Sequence, residues 1–286
     1  MKLTYNDYYT TSGNGDDWQV HLKPCTQQAT TYYEESIRAA NLIANQTSKQ
    51  LILMSSGGID SEFMINIFRD AQIDFKVNII SYGKWNQHDA KYAFEYCKRH
   101  GITPEVTELD LYDFIETDLI YDIAEKGKCS AYQMTSVMYG IKDIDGAIIM
   151  ANCEPQVNKL NGKWVWDEPE RTNSYRHWYT YAGIEGTPDF PRYTAEQTVS
   201  FLEDPLVKKL VDDQFEFSQS KYVKSMIYNR YYDQAERWKY TGWEYLERSD
   251  IFNSMYSKFD SLRKRFNGQY VLEYDEVLRQ LKGSSL

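Results

Sequence analysis

The four cysteines, Cys25, Cys97, Cys129 and Cys153, contain no Cys-x-x-Cys pair. Zinc ribbons and iron–sulfur centres are built on that spacing, so neither has support here. In a reducing compartment the four are expected to be free thiols. Long apolar runs are missing as well. A membrane-spanning helix needs roughly 20 consecutive apolar residues, and the longest runs, Leu51–Met54 and 147–151, are strand-sized. The opening residues, Met1-Lys2-Leu3-Thr4-Tyr5-Asn6-Asp7, lack the apolar centre of a signal peptide, so a cytoplasmic protein is expected. Positive charge is scarce. The net charge is -10, which argues against general nucleic-acid binding but leaves room for a local basic patch. Proline is scarce too, with 7 residues, and no repeat or low-complexity linker divides the chain.

What is abundant is aromatic mass on a soluble background. The mean hydropathy is -0.64. Hydrophobic residues make up 42% of the 286, enough for a sizeable core and too many for a disordered chain. There are 25 tyrosines. Many lie in the last third, among them Tyr222, Tyr228, Tyr231, Tyr232, Tyr240, Tyr245 and Tyr256. They read either as packing mass with a polar tip or as a surface on which a base stacks. The acidic balance favours packing.

Periodicity then orders the chain. Residues 1–30 read as a hairpin-like extension around the turn cluster Thr11-Ser12-Gly13-Asn14-Gly15-Asp16-Asp17. A helix over 31–45 precedes a continuously apolar strand over 49–55, the texture of a parallel strand covered on both faces. Helix 61–71, strand 75–81, helix 87–100, strand 104–109, helices 111–126 and 131–141, and strand 146–152 follow. Strands alternating with helices mean βαβ units and right-handed crossovers. The expected class is α/β: a doubly wound parallel sheet over 31–155, with a mainly helical part over 156–286. In that second part, 158–167 reads as a hairpin turning at Asn161-Gly162. Residues 168–193 read as a long loop. Helices are expected over 194–202, 205–214, 220–233 and 256–266. Thr194 with Gln197 is a helix capping box.

The sharpest local signal is Leu51-Ile52-Leu53-Met54-Ser55-Ser56-Gly57-Gly58-Ile59-Asp60-Ser61. A buried strand runs into a Ser/Gly loop that opens a helix. Glycines let backbone approach an anion closely and take positive φ. The helix N-terminus directs partial positive charge at that anion, and Ser55, Ser56 and Ser61 add hydroxyls. Asp60 beside phosphates would be repulsive alone, and a bridging Mg²⁺ turns it into a ligand. No lysine follows the glycines, so this is not Gly-x-x-x-x-Gly-Lys-Ser/Thr, and no third glycine makes it a dinucleotide fingerprint.

The segment Ser56-Gly57-Gly58-Ile59-Asp60-Ser61 resembles the Ser-Gly-Gly-x-Asp-Ser loop of the PP-loop ATP pyrophosphatases, a superfamily with a HUP-like fold that includes NAD, GMP and asparagine synthetases and tRNA-thiolating enzymes. The resemblance covers about residues 31–155. It implies ATP cleaved between the α- and β-phosphates, with Mg²⁺, and adenylation of a small-molecule or nucleotide acceptor for amide or amine ligation. Asp60 and Ser61 become the candidate catalytic residues. Ser55, Ser56, Gly57, Gly58, Asp60 and Ser61 are expected to grip the phosphates. Ser81, Tyr82 and Gly83, at the end of the second strand, are expected near adenine or ribose. In several members the loop after the fourth strand carries an acidic metal ligand. Here it reads Asn152-Cys153-Glu154-Pro155, where the family usually has glycine, and Glu154 is the candidate partner of Asp60 for Mg²⁺.

Basic residues near the pyrophosphate are sought among Lys84, Lys128, Lys163, Arg171 and Arg176, with Lys128 closest in sequence to the expected nucleotide edge. Arg171, Arg176 and Lys239 are the candidates for the acceptor site. The runs at 190–197 and 237–244 faintly resemble C-terminal parts of asparagine-synthetase-like and phage-encoded members. The superfamily makes a homodimer an expectation, and a bacterial or phage-infected cell the expected setting. No cysteine stands at position two, so a built-in glutaminase is not expected. Two alternatives stay open: a sulfur-handling enzyme using Cys129 or Cys153, resembling phosphoadenylyl-sulfate reductase or a tRNA thiolase, and a non-catalytic nucleotide-binding module.

Overall fold

The computed structural model describes residues 8–152, 154–234 and 241–283. It begins with an antiparallel hairpin, β1 (Tyr9–Ser12) and β2 (Gln19–Leu22). Helix α1 (Tyr32–Gln46) follows. It starts where the sequence says it should: the Thr31 hydroxyl accepts from the Glu34 amide, and Glu34 reaches back to the Thr31 backbone.

The alternation then unfolds as β3 (Leu51–Met54), α2 (Ile59–Asp70), β4 (Lys76–Ser81), α3 (Gln87–Arg99), β5 (Glu105–Glu108), α4 (Leu111–Glu116), α5 (Leu119–Lys126), α6 (Tyr132–Ile141) and β6 (Ala147–Ile149). The single helix expected over 111–126 is two. Asp118 takes a left-handed φ of 56°, and the Thr117 hydroxyl donates to the Asp113 carbonyl at 2.7 Å. Short polar side chains compete with the helical backbone in this way.

Next come the hairpin β7 (Val157–Leu160) and β8 (Lys163–Pro169), then α7 (Ser174–Ala182), β9 (Glu185–Thr187), α8 (Ala195–Leu202), α9 (Pro205–Val211), α10 (Lys221–Tyr228), α11 (Trp243–Leu246), α12 (Asp250–Arg265), β10 (Gln269–Glu273) and α13 (Tyr274–Lys282). The stretch expected as a long loop over 168–193 instead folds into α7 and β9. The last part is mainly helical, and β10 pairs antiparallel with β8 to make a three-stranded sheet, β10-β8-β7.

The central sheet has five strands in the order β5-β4-β3-β6-β9, all parallel. Its fifth strand comes from 185–187, beyond the sequence boundary at 155. Gly186 allows this edge: its φ is 138°, and an added Cβ would lie 1.9 Å from the Ile148 carbonyl oxygen. Successive side chains of β3 point to opposite faces. Leu51 and Leu53 join the core formed with α1, α2 and α8, while Ile52 and Met54 join the one formed with α4 to α7 and α12. Apolarity without alternation is what a strand buried on both faces requires.

The tyrosines of the last third divide between surface and core: Tyr222, Tyr231, Tyr245 and Tyr256 are exposed. Tyr228 is buried and stacks on Phe63 with ring centroids 4.1 Å apart, next to Tyr32. Among the described residues no helix is long and apolar enough to cross a membrane.

Candidate functional site

The strand order reverses at β3: β4 and β5 lie on one side, β6 and β9 on the other. In open parallel sheets the crevice at such a switch point, beyond the carboxyl ends of the strands, is where ligands bind. Here it opens into a cleft of about 1050 Å³. Five of the loop's six residues, Ser56, Gly58, Ile59, Asp60 and Ser61, line it, together with Ser55.

Each loop residue has a distinct part. The Ser55 amide donates to the Asn78 carbonyl at 2.8 Å, extending the pairing of β3 with β4. Its hydroxyl is buried with no partner among the described residues, as is the side-chain nitrogen of Asn152 beyond β6. Two buried donor groups thus stand on neighbouring strand ends facing the cleft, and unsatisfied buried groups cost about 1–3 kcal/mol each until something binds them.

Both glycines were expected at positive φ, and only Gly57 takes it, at 72°. Gly58 is extended, φ -91°, and caps α2 without a side chain. The first-turn amides of α2 therefore have no side-chain cap. Ser61 turns its hydroxyl back onto the Gly58 carbonyl at 2.8 Å, bracing the turn. A Cβ on Gly57 would sit 2.6 Å from the Asp89 carbonyl oxygen, against α3. Gly57→Ala combines that clash with a left-handed conformation costing about 1–2 kcal/mol for an L-residue. We expect a lower melting temperature in a thermal melt.

Asp60 and Glu154 come together, as the sequence suggested for a metal pair, but across a lysine. Lys224 on α10 donates to Asp60 Oδ2 at 2.8 Å and to Glu154 Oε2 at 2.9 Å. The Tyr228 hydroxyl donates to Asp60 Oδ1 at 3.0 Å, and the Ser220 hydroxyl to Glu154 Oε1 at 3.4 Å. Ser220, Lys224 and Tyr228 are spaced i, i+4, i+8, one face of one helix. Burial first, then the neighbouring Tyr32 hydroxyl and the Asp60 carboxylate, hold Tyr228 well above the usual phenol range, so it stays a donor. Sequence reasoning missed Lys224, and Lys221 a turn earlier, which also lines the cleft. The available signal was that helical spacing.

The far wall is apolar: Ile79, Ile80, Tyr82, Met134 and Val137. Tyr82 is buried, its hydroxyl sits 2.9 Å from the Ser136 hydroxyl, and burial pushes it up to about 12. Its ring is therefore fixed in the wall. Ser81 and Gly83 lie outside the lining; the Ser81 hydroxyl accepts from the Gly83 amide at 3.2 Å, and Gly83 is exposed.

The basic candidates are dispersed. Lys128 is exposed and outside the cleft, its carbonyl accepting from Ser174 at 3.0 Å. Arg171 is exposed on the turn after β8. Arg176 is buried away from the cleft lining. It pairs with Asp189, donates to the Tyr9 carbonyl at 3.1 Å and lies over the Tyr9 ring. Its role there is packing and charge compensation rather than contact with an acceptor. Lys84 and Lys163 are exposed, Lys163 pairing with Glu273. Lys239 and Cys153 fall outside the described residues. Cys129 is fully buried outside the cleft lining, and burial pushes its thiol up to about 11, which does not suit a sulfur nucleophile.

Next to Arg176, burial holds His177 down to about 4 from 6.5, with Lys128 and Arg176 adding repulsion. An imidazole that protonates more readily unfolded than folded leaves stability whole above 6.5. Stability then falls as pH drops from 6.5 towards 4 and levels below. His177→Gln should flatten that part of the denaturation curve relative to wild type. Parallel curves would contradict it.

No protein-family model matches the chain, and no curated protein does. Among solved structures it is similar to the NH3-dependent NAD synthetase from Campylobacter jejuni, at 10% identity over 81% of this chain and 93% of that one, with a TM-score of 0.36. It is also similar to NMN synthetase from Francisella tularensis, at 14% identity over 82% of this chain and 94% of that one, with a TM-score of 0.33.

Proposed function

We propose that this chain binds ATP in the cleft beyond β3 and β6 and breaks it between the α- and β-phosphates, adenylating an acceptor. The observation that carries this is the Ser56–Gly57–Gly58–Ile59–Asp60–Ser61 loop at the switch point, with buried donors on Ser55 and Asn152 facing the same cleft. The uncapped first turn of α2 and the Ser55 hydroxyl are donors for phosphate oxygens. The apolar wall around Tyr82 suits adenine, and about 1050 Å³ is room for a nucleotide with a second small molecule.

Among the described residues no group of three or more His, Cys, Asp or Glu could hold a metal ion. Asp60 and Glu154 nevertheless fit Mg²⁺, which commonly takes one or two carboxylates and completes its shell with phosphates and water. When bound there, it would supply charge neutralisation on the phosphate oxygens. The chain's own work is positioning and electrostatics. An acceptor oxygen attacks the α-phosphorus, the bond to the β-phosphate oxygen breaks, and pyrophosphate leaves with its charge. Lys221 and Lys224, which line the same cleft, are the cations available to that charge. Ammonia or an amine then displaces AMP from the adenylated carbon. The acceptor is a small molecule or a nucleotide.

Calorimetry with ATP and Mg²⁺ tests the site. Wild type should bind and Gly57→Ala should not, at a temperature where both are folded. Equal binding would move the site elsewhere.

A further inference from the structure

We propose that Lys224 is an internal counter-ion that keeps divalent metal off Asp60 and Glu154 until a triphosphate draws its ammonium away. The inference rests on the ATP reading of the cleft and adds an order of events to it.

The ammonium already occupies the place between the two carboxylates, 2.8 Å from one and 2.9 Å from the other. The surroundings hold it there. The Glu154 side chain is 3% exposed and that of Lys224 15%. The remaining carboxylate oxygens are taken by Tyr228 and Ser220 on the same helix face. The Lys224–Glu154 half of this arrangement is the costly one to break, because either of its largely buried partners left alone is an uncompensated charge in a poor solvent.

Free metal meets two obstacles. It must displace a cation that is already satisfied. It also finds only two carboxylates, since no larger ligand cluster exists among the described residues. A triphosphate removes both. Its oxygens complete the metal's shell, and its negative charge offers Lys224 a new partner in the same cleft, which Lys224 already lines. Metal and nucleotide affinities are then coupled, and the coupling is reciprocal. An apo enzyme that holds no metal cannot waste it or misplace it before ATP arrives.

The probe is Mn²⁺, followed by electron paramagnetic resonance, without turnover. Wild type should bind Mn²⁺ weakly alone and much more tightly with α,β-methylene-ATP, which cannot be cleaved at the bond in question. Lys224→Met should bind Mn²⁺ without nucleotide at least about tenfold more tightly than wild type, because the two carboxylates lose the ammonium that bridges them. The added gain from the analogue should shrink accordingly. Lys224→Arg, which keeps the charge, should behave like wild type. Equal Mn²⁺ affinity in wild type and Lys224→Met would overturn the proposal. If Lys224→Met does not fold, wild type still decides: Mn²⁺ affinity indifferent to the analogue overturns it, and analogue-dependent binding supports it. Failure here with intact AMP and pyrophosphate formation leaves the ATP reading standing. Tighter Mn²⁺ binding by Lys224→Met without any ATP cleavage would do the reverse.

Discussion

Asp60→Asn should lower pyrophosphate release from ATP by about 10²–10³-fold, the effect of removing one preorganised electrostatic group from a phosphoryl or acyl transfer site. The substitution keeps size and an oxygen for the Tyr228 hydroxyl, so the first turn of α2 stays intact. What it removes is one of two negative charges in the site. Lys224 keeps Glu154 at 2.9 Å. The cost to stability should be about 1 kcal/mol, in the range of one hydrogen bond. Activity loss and stability loss are thereby separated, which a role for Asp60 in folding alone would not allow. Steady-state pyrophosphate assays beside thermal melts check both halves. A variant with wild-type turnover would remove Asp60 from the mechanism.

Arg176→Leu should do the opposite. Arg176 and Arg192 are both 2% exposed, and they share the carboxylates of Asp189 and Glu168, which are 0% and 1% exposed. Removing one guanidinium leaves Asp189 facing the more distant guanidinium of Arg192, at 3.9 Å. Breaking a buried pair in this way costs about 3–5 kcal/mol. In a chain of this size that lowers the melting temperature by roughly 5–8 °C. The KM for an acceptor, measured on the folded fraction, should not change. A raised KM with unaltered stability would return Arg176 to the substrate site that the sequence suggested for it.

The two arginines show where sequence reading stops. Arg171–Trp178 is dense in donors, and density alone cannot say whether a donor meets a ligand or a carboxylate thirteen residues on. Buried polar networks are set by tertiary neighbours, which one-dimensional pattern does not carry. The same holds for Lys224. Its partners lie 164 and 70 residues away in the chain, and only the spacing of Ser220, Lys224 and Tyr228 marks it. The strand β9 was hidden for another reason. Glu185-Gly186-Thr187 has no apolar side chain, and it is a strand because β6 offers it an edge that Gly186 can approach closely.

What was legible shares a property: its cause is local. Continuous apolarity marked β3 and β6, and Asn161-Gly162 marked the hairpin of β7 and β8. The Ser56–Ser61 loop belongs with these, because strand, turn and helix N-terminus are all written within eleven residues. Even there, the expectation that both glycines take positive φ held for one. Gly58 is needed as a cap without a side chain instead.

The bond broken in ATP distinguishes adenylation from simple phosphoryl transfer. ATP labelled at the α-phosphorus, incubated with the protein, Mg²⁺, ammonia and candidate acceptors, should yield labelled AMP with unlabelled pyrophosphate. Labelled ADP with orthophosphate would contradict the account at its centre.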